Sequence, residues 1–200
     1  LAVAQGSDGK EGGDMKKISP KANFYIDLVI IVSMLSFMSA VIITYEAGYR
    51  INRTNSLPMG FYRVIDKQPD RNDIVSFWPD GSEPFRIARE RRYIIPGKYL
   101  NRGDGGYDAL MKKIMGLPGD VVSITDGGVF INGELIPNTL PLECDNIGDP
   151  LPVFRLHDYT LRENEVLFVS DYLPRSYDAR YFGIKDKGQI IDVLVHVYTW

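Results

Sequence analysis

Hydroxyls, amines, thiols and imidazoles are the side chains with which a chain of this kind does nucleophilic chemistry, and their placement narrows the choices. Ser56 lies in Asn55-Ser56-Leu57-Pro58-Met59-Gly60. Proline fixes its own φ and disfavours helix at the residue before it, and Gly60 is free to take angles closed to other residues, so Ser56 should sit at a strand end or in a tight turn. A hydroxyl held there can reach a substrate, although these residues alone equally describe an ordinary turn. The single cysteine, Cys144, excludes an intrachain disulfide and any zinc cluster built from several thiolates. It is expected to be a small buried apolar residue. The two histidines, His157 and His196, show no motif spacing with each other or with Cys144, so a cysteine–histidine nucleophile is set aside.

The elements that must position such groups follow from the hydropathy pattern. The run LVIIVSMLSFMSAVIITY, residues 28–45, carries no charge. With residues 24–26 before it, the run is long enough to cross a hydrocarbon layer of ~30 Å as a helix, and it lacks the polar face of a buried core helix. Its end, Tyr45-Glu46-Ala47, has a bulky residue where a cleaved leader needs a small one, so a retained anchor over residues 24–45 is expected. Lys16, Lys17 and Lys21 precede the run and Arg50 and Arg53 follow it, which keeps the lysine-rich side in the cytoplasm and turns the rest outward. Asp27 is expected at headgroup level.

Beyond the anchor, glycine and proline punctuate short runs rich in Val, Ile, Phe and Tyr, and no long helical period stands out. The expected fold is therefore mainly β. Strands are expected at 61–65, 74–78, 110–115, 121–125, 129–132, 134–136, 165–170 and 190–198. Asn132-Gly133 has the composition of a primed hairpin turn. Residues 137–152 read as a loop. Arg89, Glu90, Arg91 and Arg92 read as a solvated strand or loop edge. A net charge of −3 over 200 residues gives no basic excess, and no nucleic-acid partner is expected.

Three segments in order carry a resemblance: Thr54 to Gly60, then Met111-Lys112-Lys113-Ile114-Met115-Gly116-Leu117-Pro118-Gly119-Asp120, then Ser170-Asp171-Tyr172 continuing to Ser176-Tyr177-Asp178-Ala179-Arg180-Tyr181-Phe182-Gly183. Together with the anchor they resemble the type I signal peptidase family of serine-lysine proteases, and more closely its conjugal-transfer, TraF-type branch. The stretch FRIARERRY from Phe85 to Tyr93 and the aromatic end Tyr198-Thr199-Trp200 are similar to that branch. The resemblance implies a signal-peptidase-like β-domain over residues 46–200 and a serine endopeptidase without metal or organic cofactor. It implies Ser56 as nucleophile, Lys112 as general base, Thr54 as an oxyanion donor beside the Ser56 amide, Ser176 as the group orienting the lysine, and Asp178 with Arg180 as a charged pair behind it. Whether Asp178 is structural or helps to set the lysine's protonation stays open, with the structural role favoured.

A lysine base has to be neutral, and an ordinary pKa of ~10.4 leaves about one molecule in two thousand uncharged at pH 7. Burial in an apolar strand lowers that value. On a strand Lys112 and Lys113 face opposite ways between apolar neighbours, so periodicity alone does not choose between them; the family register selects Lys112 and leaves Lys113 to face solvent and pair with an acid. The usual arginine-glycine-aspartate before the second strand is Arg71-Asn72-Asp73 here, so its turn is expected to differ, and Leu57 replaces a methionine common in housekeeping members.

The resemblance further implies a leader-bearing preprotein or prepilin as substrate, other conjugation or secretion components as partners, and a single-pass location in the bacterial inner membrane with the β-domain periplasmic. Small substrate residues would fit pockets lined by Leu57 and Ile114, and Phe77 with Trp78 would either touch the membrane interface or belong to the core. Some conjugal relatives join pilin ends into a ring. A housekeeping signal peptidase and a non-catalytic anchored assembly factor are the other readings. Residues 1–23 are expected to be a disordered cytoplasmic tail, glycine-rich over its first part. Since Met15-Lys16-Lys17 is similar to a bacterial start, residues 1–14 are expected to be an upstream extension.

Overall fold

The computed structural model describes residues 19–94 and 108–200. The expected extension 1–14 and most of the expected tail lie outside them. The chain divides into two units at Thr44/Tyr45. The first is dominated by helix α1, Pro20–Glu46, which buries none of its residues and has a mean hydropathy of 2.5 over its most apolar window. Its 27 residues extend ~40 Å at 1.5 Å each, enough for a bilayer core with a turn to spare at either end. It is the one candidate membrane span among the described residues, and it starts a turn earlier than the apolar run.

The second unit is built from eleven strands in two antiparallel sheets, as the short β-branched and aromatic runs require. Strands β1 (Tyr49–Asn52), β2 (Gly60–Ile65), β3 (Ile74–Phe77), β4 (Leu110–Gly116), β9 (Glu165–Phe168), β10 (Lys185–Asp186) and β11 (Ile190–Thr199) form a sheet in the order β1-β2-β11-β3-β4-β9-β10. Strands β5 (Val121–Thr125), β6 (Gly128–Ile131), β7 (Glu134–Leu135) and β8 (Leu156–Thr160) form the other, in the order β7-β6-β5-β8. Asn132 and Gly133 both take positive φ, 52° and 84°, and so build the primed turn that returns β6 into β7.

The core interleaves residues from both sheets. Val75, Phe77, Ile114, Val166, Leu167 and Phe168 come from the larger sheet and Val122, Ile124, Val129 and Ile131 from the smaller, all at 5% exposure or less. Phe77 stacks on Phe168 with ring centroids 4.4 Å apart, so Phe77 is core and does not reach a membrane interface. Two further elements brace this core. Helix α2, Glu83–Glu90, begins with Pro84 in its first turn and buries Phe85 and Ala88, three residues apart on one face. Arg89 and Glu90 therefore end a helix, and Arg91 and Arg92 turn away from it, where a strand or loop edge was expected. Helix α3, Ala179–Phe182, is a single turn whose four side chains are all buried.

Asn72 adopts φ 67°, a left-handed conformation that asparagine tolerates better than most residues, in the turn before β3. Arg71 closes it by donating to both carboxylate oxygens of Asp120 at 2.8 and 2.7 Å and to Met115 O. Cys144 is exposed, in an isolated bridge with Pro150 within the loop 137–152. The burial expected of it fails because no strand or helix carries that loop into the core.

Candidate active site

One cleft of about 390 Å³ is lined by Thr54, Ser56, Lys112 and Ser176 together with Tyr93, Leu110, Leu142, Tyr177 and Tyr181. Four of the residues singled out from the sequence thus meet across a single cavity. They arrive from three places: the β1–β2 connection, the start of β4, and the segment leading into α3. Asp178 and Arg180, each fully buried, do not line the cleft and lie behind it. Leu57 and Ile114 are also buried but do not line it; the apolar part of its wall comes instead from side chains such as Ile51, Leu110, Met111 and Leu142.

Ser56 is half-buried in the turn that follows β1. That turn is held by Asn52, 3% exposed at the end of β1. The Asn52 Nδ2 donates to the carbonyls of Thr54 (3.0 Å), Leu57 (3.1 Å) and Pro58 (3.1 Å), and Asn52 Oδ1 accepts from the amide and the hydroxyl of Thr54 at 3.0 and 2.9 Å. Tyr62 Oη adds a second donor to Pro58 O at 2.7 Å, and Ser170 Oγ donates to Ser56 O at 2.7 Å. Gly60 closes the turn where β11 passes so near that a Cβ would stand 2.0 Å from Tyr198 O. The Ser56 amide N–H has no acceptor among the described residues, which leaves a backbone donor free at the cleft.

Lys112 is 5% exposed, and its amine donates to Ser176 Oγ at 2.9 Å. Burial is the largest influence on it and lowers its pKa from 10.5 to about 8; the Asp178 charge opposes that and the Arg180 charge assists it. The neighbouring Lys113 faces the other way, half-buried, and pairs with Asp171 at 2.7 Å. Among the described residues the Ser56 hydroxyl contacts Thr54 Oγ1 at 3.3 Å, and the Lys112 amine contacts Ser176.

Behind the cleft, Arg180 grips Asp178 through Nε and a terminal nitrogen, each at 2.8 Å. The Asp178 carboxylate also accepts the backbone N–H groups of Ser170 and Arg180. The remaining guanidinium hydrogens go to the carbonyls of Asn138, Leu140, Pro174 and Ser176, with Ser176 O at 3.0 Å. The pair therefore ties the loop after β7, the segment bearing Ser176 and the start of α3 into one unit. Asn52 and Ser170 carry bonds to the Ser56 turn that reading the sequence did not assign. Asn52 lies four residues before the serine, at the end of the mixed stretch Tyr49-Arg50-Ile51, which carries no local signal for it.

A β-domain behind an apolar amino-terminal helix, with its serine turn and buried lysine on one cleft, defines a class. The chain matches the family described as signal peptidase, peptidase S26, over residues 22–200, and it belongs to that family. The plasmid transfer protein TraF of Escherichia coli is 39% identical over 156 residues, covering 78% of this chain and 85% of that one. The conjugal transfer protein TraF of Agrobacterium tumefaciens (strain 15955) is 31% identical over 169 residues, 83% of this chain and 90% of the relative. A Synechocystis protein described as "Probable signal peptidase I-2" is 24% identical over 188 residues, 88% and 74% respectively.

Proposed function

We propose that the chain is a membrane-anchored serine endopeptidase of signal-peptidase type, with Ser56 as nucleophile and the neutral amine of Lys112 as general base. The observation that carries this reading is the buried Lys112 amine, its pKa lowered to about 8, on the same cleft as the Ser56 turn. In the acylation step the Ser56 Oγ–carbon bond forms as its proton passes to Lys112, and the carbonyl π pair moves onto oxygen, where the Ser56 amide and the Thr54 hydroxyl receive it; the pair then returns to re-form the carbonyl, the peptide C–N bond breaks, and Lys112 hands the proton to the departing amine. Ser176 orients the amine, and Asp178 with Arg180 holds Ser176 in place.

The substrate proposed is a leader-bearing preprotein of a conjugation system, a prepilin foremost, consistent with TraF relatives at up to 40% identity. The proposed setting is the bacterial inner membrane, spanned once by α1, with the β-domain on the periplasmic side. Co-expression of the full chain with a candidate prepilin, followed by intact-mass measurement, tests the reading. Wild type should release the leader and Ser56→Ala should not. A cyclic product would register as the further loss of one water, and cleavage that persists in Ser56→Ala would overturn the proposal.

A further inference from the structure

The geometry points to Asn52 as a positioning residue for this reaction, acting through the hydroxyl of Thr54; the inference rests on the proteolytic reading above. Its carboxamide orientation is fixed by its surroundings. Three carbonyl oxygens, those of Thr54, Leu57 and Pro58, surround one end, and the Thr54 amide N–H points at the other. Reversing the amide would set oxygen against three oxygens and an NH₂ group against an N–H, so Nδ2 is the donor end and Oδ1 the acceptor end.

That assignment settles the direction of the neighbouring bonds. Asn52 Oδ1 can only accept, so Thr54 Oγ1 places its single proton there, 2.9 Å away. The 3.3 Å contact between Thr54 and Ser56 then has Ser56 as donor. In the resting site the Ser56 hydroxyl thus donates to Thr54 Oγ1, and the Thr54 hydroxyl donates to a neutral amide oxygen. As Ser56 gives its proton to Lys112, Thr54 loses an incoming hydrogen bond while negative charge grows on the substrate oxygen. The Thr54 hydroxyl then turns from the amide oxygen to the stronger acceptor. Throughout, the bond from Thr54 N to Asn52 Oδ1 and the bonds from Nδ2 keep the residue in place, so the hydroxyl turns and the backbone does not.

The test uses the full chain in detergent with a leader-bearing substrate whose cleavage is lost in Ser56→Ala. Asn52→Ala should lower kcat about tenfold or more while KM stays within about twofold, as for loss of an interaction made in the transition state. In a Thr54→Val background the same Asn52→Ala change should cost about threefold at most, because the hydroxyl it positions is gone. An Asn52→Ala loss of equal size in both backgrounds, or one confined to KM, would assign Asn52 to the scaffold alone and overturn the inference. Asn52→Gln keeps a neutral carboxamide while moving its oxygen by one carbon, and it carries the same comparison with the same outcomes if Asn52→Ala gives no cooperative melting transition. Thr54 is exposed, so Thr54→Val should fold whatever becomes of the Asn52 variants; kcat within about twofold of wild type in Thr54→Val would also sink the idea. If Ser56→Ala itself still cleaves, the proteolytic reading has failed rather than this refinement of it.

Discussion

Lys112 supplies a prediction whose sign and size both follow from its burial. Lowering its pKa from 10.5 to about 8 makes about one lysine in ten neutral at pH 7, some 300-fold more than an exposed lysine would provide. The rate constant kcat/KM should therefore climb about tenfold per pH unit below pH 8, pass half its maximum near pH 8, and level off above. The same gap fixes a stability effect of ~3 kcal/mol. Between about 8 and 10.5 the folded lysine binds fewer protons than the unfolded one, so stability rises with pH across that window. Below about 8 the full penalty is present.

Lys112→Met removes the penalty but leaves the buried Ser176 Oγ without its donor, a cost of ~1–2 kcal/mol. At pH 7 the variant should then be more stable than wild type by ~1–2 kcal/mol, worth a few degrees in Tm. At pH 10.5 and above it should be the less stable of the two by a similar amount. Thermal melts of both full-length proteins in detergent across pH 7 to 11, paired with the activity profile of wild type, measure this crossing. A stability difference that stays constant over that range, or a flat activity profile from pH 6 to 9, would refute the claim that a desolvated Lys112 is the base.

Lys113→Ala should retain most cleavage activity, since Lys113 pairs with Asp171 away from the cleft; a loss as large as that of Lys112→Ala in the same peptide assay would place the base one residue later. Arg180→Met strands the buried Asp178 carboxylate and should destabilise by ~3–5 kcal/mol, read as a fall in Tm against wild type; a change below ~1 kcal/mol would contradict the burial of the pair. In Asp178→Asn the charge that favours the ammonium form of Lys112 is gone, so the midpoint of the activity profile should move below pH 8; an upward move would reverse the electrostatic account. Gly60→Ala forces a Cβ to within 2.0 Å of Tyr198 O, and it should cost both stability and activity by displacing the Ser56 turn. A Gly60→Ala protein with wild-type melting would show that the turn is free to shift.

Much of this site was legible in the sequence because backbone-restricting residues and apolar flanks leave local signatures. Pro58 and Gly60 mark the Ser56 turn, and a lysine set in Leu110-Met111-Lys112-Lys113-Ile114-Met115 has few ways to stay in water on both faces of a strand. Which of the two lysines turns inward needed the family register, because both faces read as apolar. The unread features are those decided by distant partners. Strand β1 is four residues long with an arginine at its second position, and only pairing with β2 makes it a strand. Strand β8, Leu-His-Asp-Tyr-Thr, is half polar and owes its form to β5. Helix α2 did carry a local signal, Ser82-Glu83-Pro84 followed by Phe85 and Ala88, but so short an apolar spacing among its charges equally fits a solvated edge.

The buried pair explains why a hydroxyl, and not a carboxylate, touches the lysine. An ionised Asp178 in direct contact with Lys112 would hold the amine protonated and work against the base role proposed for it. Here both carboxylate oxygens are taken up by Arg180 and by two backbone N–H groups, and the guanidinium charge opposes the carboxylate field at the lysine. What reaches the amine is the neutral Ser176 Oγ, on a segment whose carbonyl the same Arg180 holds at 3.0 Å. One ion pair therefore does two things at once. It fixes the acceptor that aims Lys112, and it keeps its own negative charge from making that lysine a permanent cation.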